Sequence, residues 1–212
     1  MHLFSRHVCH RKFSQIGCGP CGAPGFVAGT RLRARDGWRA VETVERATQL
    51  CTIPAGTARP TGVRAERIWL DPVDCPHVVR PVHVPPGALG NTAPFLVQQD
   101  MRVVFHDPGA ADILSADAVT IRAGDLIGFA GIAEAQPPRR KTLVRLTFSQ
   151  PVVLEVAGGA QILCQPTLLD PGALIDQDPR ILQTGGLTLR HLDAAQADAY
   201  LASLPCAEPA LA

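Results

Sequence analysis

Apolar and polar residues alternate over short stretches along most of this chain, and each stretch gives way to turn-forming residues. In Thr142-Leu143-Val144-Arg145-Leu146-Thr147-Phe148, Val144, Leu146 and Phe148 fall on one side and Arg145 and Thr147 on the other. A period of two belongs to a strand with one buried face. Runs of β type recur at Thr30–Arg35, Trp38–Val44, Arg67–Leu70, Val78–Val84, Phe95–Gln98, Arg102–Phe105, Val119–Arg122, Val152–Val156 and Gln161–Cys164. Gly, Pro, Asp or Asn bounds each run and supplies turn geometry. Asp36-Gly37 between the first two runs predicts a tight hairpin. Many short strands with frequent turns predict an all-β architecture rather than a doubly wound one.

The pattern changes near the C-terminus. Asp193 with Gln196 three residues on reads as a capping box, and the alanine-rich Ala194–Ser203 as a helix that Pro205 stops. Leu192, Ala195, Ala199 and Leu201 are its expected apolar stripe. The expected organisation is a basic N-terminal arm over 1–23, a β domain over 24–170 and a C-terminal extension over 171–212. The arm is expected to be solvated, since the first acidic residue is Asp36, and it ends in a loop-forming patch, Gly17 to Pro24. Ala135 to Lys141 is expected to be a polar loop with solvated charges. Gly158-Gly159 and Gly185-Gly186 lack the strand-to-helix setting of a phosphate loop and read as turns. Trp38 and Trp69 are expected to anchor the core.

Composition narrows the function classes. With 212 residues, 46% hydrophobic and 18% charged, the chain can bury one good core and is not disordered. A net charge of +1 gives no field that would draw in nucleic acid or an anionic membrane. No apolar run reaches the ~18–20 residues of a membrane span. Seven cysteines without a framework spacing fit a reducing, cytoplasmic compartment. Cys51, Cys75 and Cys164 sit in or near apolar runs and read as inert core thiols. Cys9, His10, Cys18 and Cys21 could furnish a zinc site, but no second well-spaced pair completes a known pattern, so incidental thiols on a flexible arm are the preferred reading. Apart from that zinc, no cofactor is expected. His77, His83, His106 and His191 have no partner at metal spacing and read as surface or internally satisfied histidines.

Four segments carry a resemblance: Pro24-Gly25-Phe26-Val27-Ala28-Gly29-Thr30 with the hairpin after it, Arg80 through Gly90, Phe95 through Val103, and Val144-Arg145-Leu146-Thr147-Phe148 through Val156-Ala157-Gly158-Gly159. In this order and spacing they resemble Hint domains, the hedgehog/intein self-processing module, and in particular a bacterial branch that opens Pro-Cys-Phe-x-x-Gly-Thr. The similarity runs from Pro24 to about Leu169 and takes in the C-terminal helix. It implies a compact all-β horseshoe of two pseudo-symmetric halves, with the module's first residue in the central cleft. The implied reaction is an N-to-S or N-to-O acyl shift: a thiol or hydroxyl attacks the preceding carbonyl while a histidine helps the amide nitrogen leave.

Position by position, the residues for that reaction are missing. The nucleophile position reads Gly25, the second motif's Ser/Thr and histidine read Gln98 and Met101, and the late-strand histidine reads Arg145. Amide cleavage needs an activated nucleophile and a proton donor for a poor leaving group. Glycine has no side-chain atom to attack with, a thioether moves no useful proton, and arginine stays protonated. The expectation is a catalytically silent Hint module, not an enzyme, that serves as a binding or structural element for an unidentified protein partner. The alternative is an active domain that cuts near Pro24–Gly25 with a non-standard nucleophile.

Overall fold

The period-two runs become strands because each has one face to bury, and the turn residues between them set where the sheet edges fall. The structure, a computed structural model, describes residues 5–8, 24–69, 80–106, 115–136, 140–165 and 180–204. Its strands are β1 (Ser5–Val8), β2 (Phe26–Val27), β3 (Arg31–Ala34), β4 (Gly37–Ala40), β5 (Leu50–Ile53), β6 (Gly56–Ala58), β7 (Gly62–Trp69), β8 (Val82–Val84) and β9 (Phe95–Val97). There follow β10 (Arg102–Phe105), β11 (Ala118–Arg122), β12 (Ala133–Glu134), β13 (Arg140–Thr147), β14 (Val152–Val156), β15 (Ala160–Cys164), β16 (Ile181–Thr184) and β17 (Leu187–His191). One helix, α1 (Ala194–Ser203), closes the described chain.

Among the described residues the strands form two sheets. The first runs β1-β7-β13-β2-β9-β8-β12; the second runs β16-β17-β11-β10-β15-β14-β3-β5-β6, with β4 on β3. Both contribute to one core, in which Phe26, Val97 and Val144 from the first sheet meet Leu32, Ile121, Leu154 and Ile162 from the second. The long hairpin-like ladder of β13 with β7 runs from Arg140 opposite Trp69 to Thr147 opposite Gly62 and gives the first sheet its spine. The all-β expectation holds.

Several local expectations need correction. The first hairpin turns at Arg35-Asp36, with Gly37 (φ 125) already paired to Ala34 as the first residue of β4. Trp38 is half-buried, not a core anchor: in β4 it stands opposite Arg33, whose guanidinium lies 5.5 Å from the ring centroid. Beyond Ala40 the chain leaves the strand for a 3₁₀ turn, Val41–Thr43. The polar loop ends sooner than expected, because Arg140 and Lys141 open β13 and Lys141 is buried at 4% exposure. Within the expected arm, residues 5–8 form a strand paired in parallel with β7. The rest of the arm, with Trp69's side chain and Cys75, lies outside what is described.

Helix α1 begins as its cap requires. Asp193 accepts from the Gln196 N–H at 2.9 Å and the Gln196 side chain returns the bond at 3.2 Å. Its inner face is Ala197, Tyr200 and Leu201, whereas Ala195 and Ala199 face solvent. Tyr200 meets Phe105 edge-on at 6.0 Å, and Phe105 meets Phe129 at 6.5 Å. These edge-to-face contacts fix the helix to the second sheet.

The turn after β14 is held by close backbone approach. Ala157 accepts from Thr92 and Ala93 N–H at 3.0 and 3.1 Å. Gly159 sits at φ 152, where a Cβ would lie 2.0 Å from the Gly90 carbonyl oxygen. Two glycine-bearing turns distant in sequence are thereby pressed together, which only a hydrogen at Gly159 allows. Replacing Gly159 with Ala should destabilise the fold by roughly 2–4 kcal/mol, read as a lowered urea midpoint at unchanged m-value. A midpoint shift of a few tenths of a kcal/mol would contradict the contact.

Candidate functional site

The site grows from the pinching of β2 between two longer strands. Phe26 pairs with Val144 of β13 on one side and with Val97 of β9 on the other. That register sets Gly25, one residue before β2, across from Arg145. The turn after β9 is closed by the Met101 N–H on the Gln98 carbonyl at 3.0 Å, and the Ala123 N–H on the Met101 carbonyl at 2.8 Å ties it to the second sheet. The end of β15 supplies Cys164 and, one residue on, Gln165. Between these elements lies a cleft of about 370 Å³, lined by Gly25, Met101, Arg102, Arg145, Cys164 and Gln165 among others. Phe26, Met101, Leu146 and Leu163, each at most 8% exposed, give it an apolar floor.

Gly25 is buried, and a side chain there would be a tight fit. A Cβ there would stand 3.3 Å from both the Arg145 Cγ and the Val144 carbonyl oxygen. The Arg145 stem thus packs where a side chain on residue 25 would emerge. Arg145 is drawn to the first sheet by Glu66: its Nη2 lies 3.0 Å from Glu66 Oε2, and Arg64 Nε lies 2.9 Å from Glu66 Oε1. Glu66 is 3% exposed. A carboxylate so buried needs charge compensation, and two guanidiniums provide it.

A polar chain backs the opposite wall. Arg102 Nη1 donates to the Thr120 carbonyl at 3.4 Å, and the Thr120 hydroxyl meets His191 Nδ1 at 2.6 Å. His191 Nε2 in turn lies 3.2 Å from the Gln165 side-chain nitrogen, which donates to it, so the ring proton sits on Nδ1 and points to Thr120. Burial, and then the positive Arg102, hold the His191 imidazole down at about 4. The ring is neutral at physiological pH. Arg102 is itself pulled below the ordinary arginine value, first by burial and then by Arg122. Burial pushes the Cys164 thiol up to about 12, so the cleft's cysteine is protonated at neutral pH.

Of the four positions singled out by the resemblance, the structure brings Gly25, Met101 and Arg145 to one cleft. Gln98 does not line it; it is 1% exposed at the end of β9. Cys164 is buried as expected, but it also borders the cleft, which its apolar run did not reveal. Cys51 is half-buried and away from it. His191 is an internally satisfied histidine as expected, and its partner Thr120 lies hidden in the strand Ala118–Arg122. Glu66 went unremarked because Arg64-Ala65-Glu66 reads as an ordinary polar stretch. Cys9, His10, Cys18 and Cys21 lie outside the described residues. Among the described residues no group of three His, Cys, Asp or Glu could hold a metal, and no helix is long and apolar enough to cross a membrane.

A family model described as Hint domain matches residues 24–162. The chain therefore belongs to the Hint domain family, the class of hedgehog- and intein-type self-processing modules. Similar solved structures include a GSH-linked, splice-inactive variant of the AceL NrdHF class 3 split intein, 9% identical, with a TM-score of 0.47 over 68% of this chain and 98% of that one. Another is the bacterial intein-like domain from Clostridium thermocellum, 11% identical, with a TM-score of 0.46 over 66% of this chain and 97% of that one. No curated protein matches the chain.

Two outcomes follow from these contacts. The His191 imidazole binds its proton at about 4 when folded against 6.5 ordinarily. Between those values the unfolded chain holds more protons, so stability falls as pH drops from 6.5 toward 4. The ring is partly exposed, which reduces the loss to about 1 kcal/mol, and His191→Gln should flatten that part of a denaturation series taken between about pH 7 and pH 4.5. Glu66→Gln removes the anion between Arg64 and Arg145 and should cost about 2–4 kcal/mol in the same assay. An Arg64→Gln change, at a side chain 65% exposed, should cost far less.

Proposed function

We propose that this Hint domain has lost self-cleavage and acts as a binding or structural module. The observation that carries the reading is the packing at Gly25: the nucleophile position has no side chain, and a Cβ there would meet the Arg145 stem in a tight contact at 3.3 Å. Arg145 is engaged with Glu66, so it is held in that place. An acyl shift needs an attacking atom against the carbonyl and a proton for the departing nitrogen. Met101, on the turn where the family carries its assisting histidine, brings a buried thioether. Loss of acid–base help alone is worth roughly 10²–10⁴-fold, and loss of the nucleophile comes on top of it.

A second reading has one observation in its favour. Cys164 lines the same cleft as Pro24 and Gly25, so a thiol does border the junction. With its pKa at about 12, that thiol spends nearly all its time protonated at neutral pH, which favours the silent reading.

Intact-mass measurement over prolonged incubation, with and without dithiothreitol or hydroxylamine, tests the proposal. The expected result is one unchanged mass under all conditions. A fragment beginning at or near Gly25 would overturn it, and loss of that fragment in Cys164→Ser would identify the nucleophile.

A further inference from the structure

Strand β4 is an open edge of the second sheet. Among the described residues it pairs only with β3. The ladder fixes which backbone groups are left over. The Val41 N–H donates to the Thr30 carbonyl at 2.8 Å, so Arg31 and Ala40 stand opposite each other without exchanging a hydrogen bond. By alternation the same holds for Arg33 and Trp38. The N–H and C=O groups of Trp38 and Ala40 therefore point away from β3. The Ala40 carbonyl accepts from the Thr43 hydroxyl at 2.7 Å. The Trp38 N–H, the Trp38 carbonyl and the Ala40 N–H have no partner among the described residues, and a strand laid beside β4 would meet all three.

The side chains beside that edge are positive. Arg31 and Arg33 are exposed on one face of β3, with Ala40 and Trp38 next to them on the same face of β4. The Arg33 guanidinium lies over the Trp38 ring, 5.5 Å from its centroid, so its charge has crossed one strand spacing and stands above β4 itself. Arg31 faces β4 at Ala40, whose side chain is a single methyl, and an arm of the same length reaches the edge past it. The carboxylates nearby do not cancel these charges. Glu155 stands opposite Arg33 on β14, on the far side of β3, and neither Arg31 nor Arg33 joins an ion pair among the described residues. Asp36 and Glu45 act on Arg39, on the opposite face of β4, and Glu42 accepts from the Gly29 N–H at 2.9 Å. An edge charged in this way repels the same edge of a second copy and draws in a strand of opposite sign.

We infer that β4 takes an extended acidic segment of a partner protein as an added strand. This deepens the reading of the domain as a binding module and rests on it. Backbone hydrogen bonds to Trp38 and Ala40 hold the segment, and side chains two residues apart in it fall on one face. Carboxylates at that spacing meet Arg33 over Trp38 and Arg31 past Ala40. The edge is separate from the cleft, which none of these four residues lines.

The test uses the full chain and an octapeptide of alternating glutamate and valine, blocked at both ends. It is titrated by calorimetry at low ionic strength and by shifts of the Trp38 and Ala40 amide resonances. The glutamate peptide should saturate and move both resonances. Its glutamine counterpart, which keeps the ladder and loses the charge, should bind at least roughly tenfold more weakly. So should the glutamate peptide with its backbone nitrogens methylated, which keeps the charge and loses the ladder. Arg33→Gln should lose roughly tenfold, and Arg59→Gln, exposed just past β6, should bind as the natural chain does. Equal binding of the glutamate and glutamine peptides, unchanged affinity after methylation, octathymidylate as the stronger ligand, shifts that avoid β4, or no saturation each overturns the inference. If Arg33→Gln fails to fold, the peptide comparisons on the unaltered chain still decide it. Intact mass is recorded on the same samples. A cut chain sinks the silent reading, whereas an intact chain indifferent to the peptide sinks only the strand site.

Discussion

Glu66 is a carboxylate almost wholly removed from water, and a buried negative charge dictates what its neighbours do. It draws Arg145 across β13 and Arg64 along β7, and both guanidiniums lie within ion-pair distance. The position of the Arg145 stem follows from this attraction, and the packing at Gly25 follows from that stem. The border of the cleft at Gly25 is thereby packed by a hydrocarbon arm whose charge is turned to Glu66. The ion pair need not add net stability to have this effect, because its role is to choose one arrangement over others.

The two walls of the cleft come from different parts of the chain. β2 and β13 belong to the span matched by the Hint family model, while His191, which steadies Gln165 at the rim, lies beyond it in β17. β17 joins the second sheet in parallel with β11, and Leu192 donates to the same Thr120 carbonyl that Arg102 uses. The segment past the matched span is therefore part of the site and not an appendage. Its aromatic contacts through Tyr200 fix the helix without touching the cleft lining.

The strands that sequence made legible are those with one wet and one dry face over four or more residues. β13, β14 and β15 read directly, because alternation or apolar continuity had room to show. β2 and β12 are two residues each, and β6 is Gly-Thr-Ala, too short and too small to carry a pattern. β17 did alternate, as Leu187-Thr188-Leu189, and the Gly185-Gly186 turn before it was legible as a turn, so that hairpin could have been found. Trp38 misled because large aromatic residues are usually interior, whereas here it lies under Arg33 on a surface hairpin. In the site, motif order located Gly25, Met101 and Arg145. Glu66 was out of reach, since a buried carboxylate and a solvated one look identical until the register of β7 on β13 is known.

The parallel pairing of Ser5–Val8 with β7 changes how the module can be trimmed. β7 is eight residues long, and with β1 in place it has a neighbour on each side over its second half. A version shortened to the matched span would leave that ladder's N–H and C=O groups bare, inviting strands from other molecules to add on. It would also stop inside β15 and discard the hairpin and helix that complete the second sheet. Minimal domains cut to family boundaries exchange a four-residue edge strand for an eight-residue one and should accordingly be more prone to self-association.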